Sequence, residues 1–286
     1  ALDAVPRSVS DFGGFIRSPW RLRISTRERG RSTMDEPLMT VTGLVKAFGA
    51  LKATDSWSLE IIAGEIRAMI GPNGAGITTA IAQLSGELRP DAGTILFEGR
   101  DITGLPMHKR AHLGLARSFQ ITSIFLNFTA EDNVAMAIQS HDGHSFRFWK
   151  EARRDPGLRG PAREVLEKVG LESRADRSAA NLSHGEQRQL ELAMALATQP
   201  SLLLLDEPMA GMGLEDSKHM VDLLKSLKGE VTILMVEHDM DAVFALADRI
   251  TVLDYGKAIT TGSPEIIQAD PAVQAAYLGE GGTCSA

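Results

Sequence analysis

The stretch "GPNGAGITT" has the glycine spacing of a loop that cradles phosphate: Gly71, four residues, Gly76, then Thr78. In such a loop Gly71, Pro72, Asn73, Gly74, Ala75, Gly76, Ile77, Thr78 and Thr79 would wrap the phosphate, all but Pro72 having a main-chain N–H to offer its oxygens. The helix expected to follow, "TTAIAQL", would add the positive end of its dipole. The pattern calls for Lys between Gly76 and Thr78, and Ile77 stands there instead. A hydrogen bond to a charged group contributes about 1.5–3 kcal/mol net. Its loss predicts nucleotide binding weaker by roughly 10- to 150-fold, at about 1.4 kcal/mol per decade. Hydrolysis should suffer at least as much, because charge is redistributed in the transition state.

Four polar features each follow a short apolar run. The glycine loop follows "IRAMI", Asp206 and Glu207 follow "LLLL", His238 follows "VTILMV", and Gln120 follows "GLARSF". Open parallel sheets bind ligands beyond the carboxyl ends of their strands, so neighbouring parallel strands would bring all four to one rim. There the Thr78 hydroxyl could ligate Mg²⁺, with Asp206 holding the ion through water. Glu207 would orient or deprotonate an attacking water, and His238 would hold the γ-phosphate. Singly, each has a plainer reading as a turn, loop or cap residue; only the joint arrangement carries weight. Ser183, three residues before Glu186, fits a helix capping box. A helix start with Ser183 and Gly185 is equally an anion-binding surface, and the spacing leaves both readings open.

Positioning these groups needs a sheet. "LMTVTGLVKAF" and "ATDSWSLEI" alternate apolar and polar residues as half-buried strands do, and "GTILFEG" is a further short strand. Short apolar strands alternating with helices then argue for a largely parallel sheet covered on both faces. Residues near 106–185 read as mostly helical. No run approaches the ~18 apolar residues of a membrane span, and the single cysteine, Cys284, rules out an internal disulfide or a cysteine metal cage. Residues 1–33 carry seven arginines against three acids; their +4 leaves −11 on the remainder of a chain whose net charge is −7. That acidic balance argues against nucleic acid as a partner. The Arg-rich leader has the composition of a transit peptide, a disordered extension, or a stretch upstream of a start at Met34; the two plainer readings, extension or upstream stretch, are preferred to the transit peptide.

The order of "GPNGAGxTT", "SFQ", "LSHGEQ", "LLLLDEP" and "EHD" resembles the ATP-binding-cassette (ABC) ATPases from about Leu38 to Gly279. His184 and Glu186 depart from the common form of the signature motif, and Gly213 stands where many relatives carry Asp or Asn. The strings "RSFQ", "NLSHGEQRQLELAMAL", "VEHDMDAVFALADRITVLDYGKAITTGSPEII" and "AVQAAYLGE" are similar to the ATPase subunits of bacterial branched-chain amino acid importers. Importers of ureas, amides and polar amino acids share most of them. The resemblance implies an α/β fold: a P-loop NTPase core with a mostly parallel sheet, an N-terminal antiparallel β subdomain and an inserted helical subdomain. Its divisions would be an extension at 1–34, core at 35–118, helical subdomain at 119–185, core again at 186–258, and a C-terminal segment at 259–286.

The resemblance also implies roles. Phe48 would stack on adenine, and Gln120 would touch both Mg²⁺ and the permease. Glu207, His238 and Gln120 take the catalytic places, with Thr78, Gln120 and Asp206 around the metal. Ser183 and Gly185 would contact ATP bound to a second ABC ATPase subunit. ATP and Mg²⁺ are the implied cofactors; permease subunits, and indirectly a periplasmic binding protein, are further implied partners at the cytoplasmic face of the inner membrane. The stretch "FRFWKEARR" is weighed as a permease or lipid contact against an ordinary amphipathic surface. Ile77 leaves three explanations open: a degenerate half of a heterodimer, a decaying gene copy, or a single-base change from a Lys codon. A non-hydrolysing nucleotide-binding regulator and a urea- or amide-type importer stand as alternatives.

Overall fold

The structure, a computed structural model, describes residues 36–118, 124–141 and 155–278. The expectations for residues 1–34, for Gln120 and for "FRFWKEARR" lie outside the described residues. Strands β1 (Met39–Phe48) and β2 (Leu51–Ile61) form an antiparallel pair whose register runs from Met39↔Ile61 to Phe48↔Leu51. After β3 (Ile66–Ile70) and helix α1 (Ile77–Ser85), strands β4 (Ala92–Phe97) and β5 (Arg100–Asp101) complete a four-stranded sheet in the order β2-β1-β4-β5. Helix α2 (Met107–His112) leads into β6 (Leu115–Arg117). That strand interrupts a stretch whose polar composition reads as helix; it is only three residues long and pairs along one edge.

Helices α3 (Ala130–His141) and α4 (Pro156–Lys168) pack on each other and on α5 (His184–Ala197). The expected division at 185/186 falls inside the first turn of α5. The chain continues through β7 (Leu202–Asp206), α6 (Leu214–Ser226), β8 (Thr232–Val236), α7 (Met240–Leu246), β9 (Arg249–Asp254) and β10 (Lys257–Gly262). Helices α8 (Pro264–Ala269) and α9 (Pro271–Leu278) follow. The second sheet has the order β10-β9-β3-β8-β7-β6; its five inner neighbours pair in parallel, and only β10 runs antiparallel, on the edge.

Two apolar clusters explain why these strands read as unbroken hydrophobic runs. Leu203 and Leu205 of β7 face a cluster shared with α3–α7, while Leu202 and Leu204 face a second cluster shared with α1 and the antiparallel sheet. β8 splits the same way: Ile233 and Met235 on one side, Leu234 and Val236 on the other. A strand buried on both faces keeps its two-residue period in space while losing it in the sequence. Of the parallel strands, β3 is buried on both faces yet carries Arg67, whose guanidinium donates to the Glu60 carbonyl and to Thr251 Oγ1.

Helix α1 is held from its far end. Arg110, 1% exposed, donates to the carbonyls of Gln83 at 2.8 Å and Leu84 at 2.7 Å, and also to those of Leu105 and Thr103. Burial pushes its pKa down to about 10, with Asp101 opposing, so the group stays cationic at neutral pH. A cation on the last carbonyls of a helix is favoured by the helix dipole.

Candidate functional site

The strand register brings the polar features to one level. Met69 of β3 and Asp206 of β7 both pair with Val236 of β8. The residues just past those positions, Gly71, Glu207 and His238, therefore emerge side by side at the carboxyl rim. This is the convergence expected from the apolar runs. The fourth strand, β6, neighbours β7 in parallel with Arg117 level with Leu204.

The loop before α1 owes its glycines to two different causes. A Cβ on Gly71 would lie 2.2 Å from the Leu253 carbonyl oxygen, and one on Gly76 would lie 2.0 Å from that of Ala53. Those glycines let β9 and β2 press against the loop. Gly74 has φ +83° with nothing within 4 Å of an added Cβ, so its face is open. Gly76 also serves as the N-cap of α1 at φ +95°, and it offers no side chain to the first-turn amides. No acid sits in that first turn. An uncapped helix start behind an open glycine loop suits a phosphate. Thr78 is exposed, whereas Ile77 is 8% exposed and belongs to the apolar cluster with Ala75, Ala80 and Ile81. The side chain at the lysine position is spent on the core.

Glu207 and His238 meet at this rim, His238 Nε2 lying 3.4 Å from Glu207 Oε1. Glu207 sits at φ +50°, an uncommon conformation for a residue with a side chain, and its N–H donates to the Val236 carbonyl at 2.9 Å. Strain of this kind, of order 1–3 kcal/mol, persists where surrounding structure over-determines it. Asp206 is buried at the end of β7, and its Oδ2 accepts from Arg117 Nη2 at 3.1 Å. Among the described residues no group of three or more His, Cys, Asp or Glu could hold a metal ion. One buried carboxylate and one exposed hydroxyl do fit Mg²⁺, which keeps several waters and takes its other ligands from substrate phosphates.

Phe48 is 53% exposed at the end of β1, with Lys46 Nζ 5.8 Å from its ring centre. It pairs with Leu51, two residues along β2 from Ala53, whose carbonyl lies against Gly76. At the start of α5 the capping box is formed. Ser183 Oγ accepts from Glu186 N at 3.2 Å, and Glu186 Oε2 accepts from Ser183 N at 2.8 Å. Arg174 Nε donates to the other Glu186 oxygen at 2.7 Å. An added Cβ on Gly185 would lie 2.7 Å from Asp216 Oδ2, so this glycine sits close under the start of α6. Gly213 is the N-cap of α6 and provides no capping side chain, where Asp or Asn would.

A second concave region lies between α2, α3 and α5. It encloses about 500 Å³ and is lined by Met107, Leu115, Phe125, Met136 and Met194, with Phe125 and Met136 exposed. Arg117, which holds Asp206, also lines it. No helix among the described residues is long and apolar enough to cross a membrane.

The sequence reading passed over three charged residues of this region. Arg117 stood in "RSFQ" only as a marker of resemblance. Arg110 is hidden in the polar string "MHKRAH", where nothing marks it as buried. Glu237, a buried acid between an apolar strand and His238, was legible as an oddity: an acid directly before a rim histidine.

Comparison with known proteins agrees with the geometry. The family model described as ABC transporter matches residues 54–210, and one described as branched-chain amino acid ATP-binding cassette transporter matches residues 259–283. The chain is 38% identical to the high-affinity branched-chain amino acid transport ATP-binding protein LivG of Escherichia coli K12, over 86% of this chain and all of the relative. It is equally similar, with the same coverage, to BraF of Pseudomonas aeruginosa, which carries the same description. Among solved structures it resembles the ADP conformation of MJ1267, an ATP-binding cassette of an ABC transporter. That likeness has a TM-score of 0.76 at 29% identity and covers 86% of this chain and 100% of the other.

Proposed function

Since this chain belongs to the ABC transporter family, we propose that it is the ATP-binding subunit of an importer of branched-chain or related amino acids. In this reading it works at the cytoplasmic face of the membrane with permease subunits and a second cassette, and Ile77 impairs its own hydrolysis. The observation that carries the reading is the open loop at Gly74 and the uncapped start of α1, at one level with the Glu207–His238 pair. The likeness to LivG and BraF supports the choice of solute class.

The loop amides bind the β- and γ-phosphates, and Phe48 covers the adenine. Bound Mg²⁺, held by the Thr78 hydroxyl and Asp206, would neutralise charge on the phosphate oxygens. Glu207 orients the attacking water and takes its proton, and His238 fixes the γ-phosphate beside it. Gln120 is the third catalytic residue in this reading and a further ligand for the metal. Ser183 and Gly185 serve the nucleotide of the second cassette; the His184 and Gly185 amides are outside the capping box and remain for that contact. The apolar hollow between α2, α3 and α5 suits a permease segment, and Arg117 ties its wall to Asp206.

A second reading rests on Ile77 being buried in the core cluster: a regulator that binds nucleotide without hydrolysing it. Calorimetric ATP binding beside a hydrolysis assay separates the two. Weak binding with slow turnover is expected of this chain, and Ile77→Lys should tighten ATP by about 10- to 150-fold and restore turnover, since Lys keeps an aliphatic stem for the core. Equal hydrolysis by the two forms would defeat the charge argument. Tight binding without turnover in either form would favour the regulator.

A further inference from the structure

Glu237 is 5% exposed, and no ion pair is seen for it among the described residues. Its oxygens instead collect main-chain donors. Oε1 accepts from Met209 N at 2.8 Å, and Oε2 accepts from His238 N at 3.0 Å. Burial pushes this carboxyl above the usual range, and nearby main-chain amides, those of Met209 and His238 first, offset part of that shift.

These bonds join two separate loops. Met209 lies two residues beyond Glu207, on the segment after β7; His238 is next to Glu237, on the segment after β8. A second link, from Glu207 N to the carbonyl of Val236 at 2.9 Å, ties the start of the first segment to the last residue of β8. We propose that Glu237 is a positioning residue that sets Glu207 and His238 as one rigid pair. Any movement of residues 207–213 is thereby passed to His238. The inference rests on the roles given to Glu207 and His238 under the proposed function.

The chemistry of the side chain explains why an acid is needed. A carboxylate offers two acceptor oxygens and no donor, which suits a pocket lined with N–H groups. Glutamine fills the same volume, but it replaces one acceptor with an NH₂ that must face a donor. Aspartate keeps both oxygens on a stem one methylene too short to span the two loops.

The test compares Glu237→Gln with its parent in the Ile77→Lys chain, where turnover is large enough to measure. A misplacement of about 1 Å costs up to roughly 100-fold in rate. The expected result is kcat lower by about 10- to 100-fold with KM and the Kd for ATP within about twofold. Amide exchange should accelerate at Met209 and His238 and stay unchanged in β3 and α1. An unchanged kcat, or parallel losses in kcat, ATP affinity and thermal stability, would overturn the proposal. If the Ile77→Lys chain itself fails to hydrolyse ATP, the functional reading is what fails. The exchange measurement then decides the positioning role alone: protection kept at either amide sinks it, and protection lost at both sustains it.

Discussion

Helices α1 and α5 both begin beside a glycine, Gly76 at the N-cap of one and Gly185 in the first turn of the other, and they treat their first turns in opposite ways. α1 starts at Gly76 with no capping side chain and no acid. α5 starts at Ser183 inside a closed capping box, with Arg174 bracing Glu186. The first helix leaves its amides to an outside partner, and its stability comes from the far end, through Arg110. The second satisfies part of its own start and keeps only the His184 and Gly185 amides. In the proposed function, phosphate binding within one chain thus belongs to α1, while α5 contributes only when a second cassette brings a phosphate to it.

Removing Arg110 is the severest test of that contrast. Arg110→Ala strands four carbonyls that the guanidinium now satisfies, at about 1–3 kcal/mol for an unsatisfied buried group. A loss of about 3 kcal/mol or more is expected in urea unfolding. A loss under about 1 kcal/mol would mean that α1 is not held from this end.

Gly76→Ala should come next. It forces a side chain into φ +95° and against the Ala53 carbonyl, costing about 1–3 kcal/mol. ATP binding should fall with it by tenfold or more, because the loop must shift; calorimetry that finds the affinity intact would break the link between loop shape and nucleotide.

Ser183→Ala should cost only about 1 kcal/mol, the usual size of a lost N-cap. ATP affinity of the isolated chain should not change at all. A weakened affinity in the monomer would show that α5 acts within its own subunit.

The smallest effect is one of pH. Burial works against ionisation of Glu186, yet the Arg174 guanidinium and the Ser183 amide outweigh it and hold the group below its unfolded value of 4.5. Its stabilisation is therefore present above pH 4.5 and is lost as pH falls through the folded pKa. Glu237 has the opposite sign: its raised pKa means that stability declines as pH climbs from 4.5 through the folded value. Glu186→Gln should flatten the acid limb of the stability curve below pH 4.5; an unaltered limb would show that the capping box carries no charge-dependent energy.

Much of the site was legible because its parts are local. "GPNGAGITT" announced a glycine loop before a helix, and Ser183 with Glu186 announced a capping box, since both depend on residues within three or four positions. The rim convergence was also legible, because parallel strands buried on both faces must align their carboxyl ends. Arg110 and Glu237 could not be read this way. Their partners lie 26 and 28 residues away at Leu84 and Met209, and a polar letter in a polar string says nothing about burial.

The order of motifs alone determined the family, the kind of sheet and the place where phosphate belongs, because each motif is a short-range geometry repeated wherever its residues occur. The fold alone decided which glycines are demanded by packing rather than by a ligand, that the side chain at the missing lysine is buried in the core, and that an acid beside His238 laces two loops together. Those facts depend on contacts between segments far apart in the chain. Only the assembled sheets bring such segments within hydrogen-bonding reach.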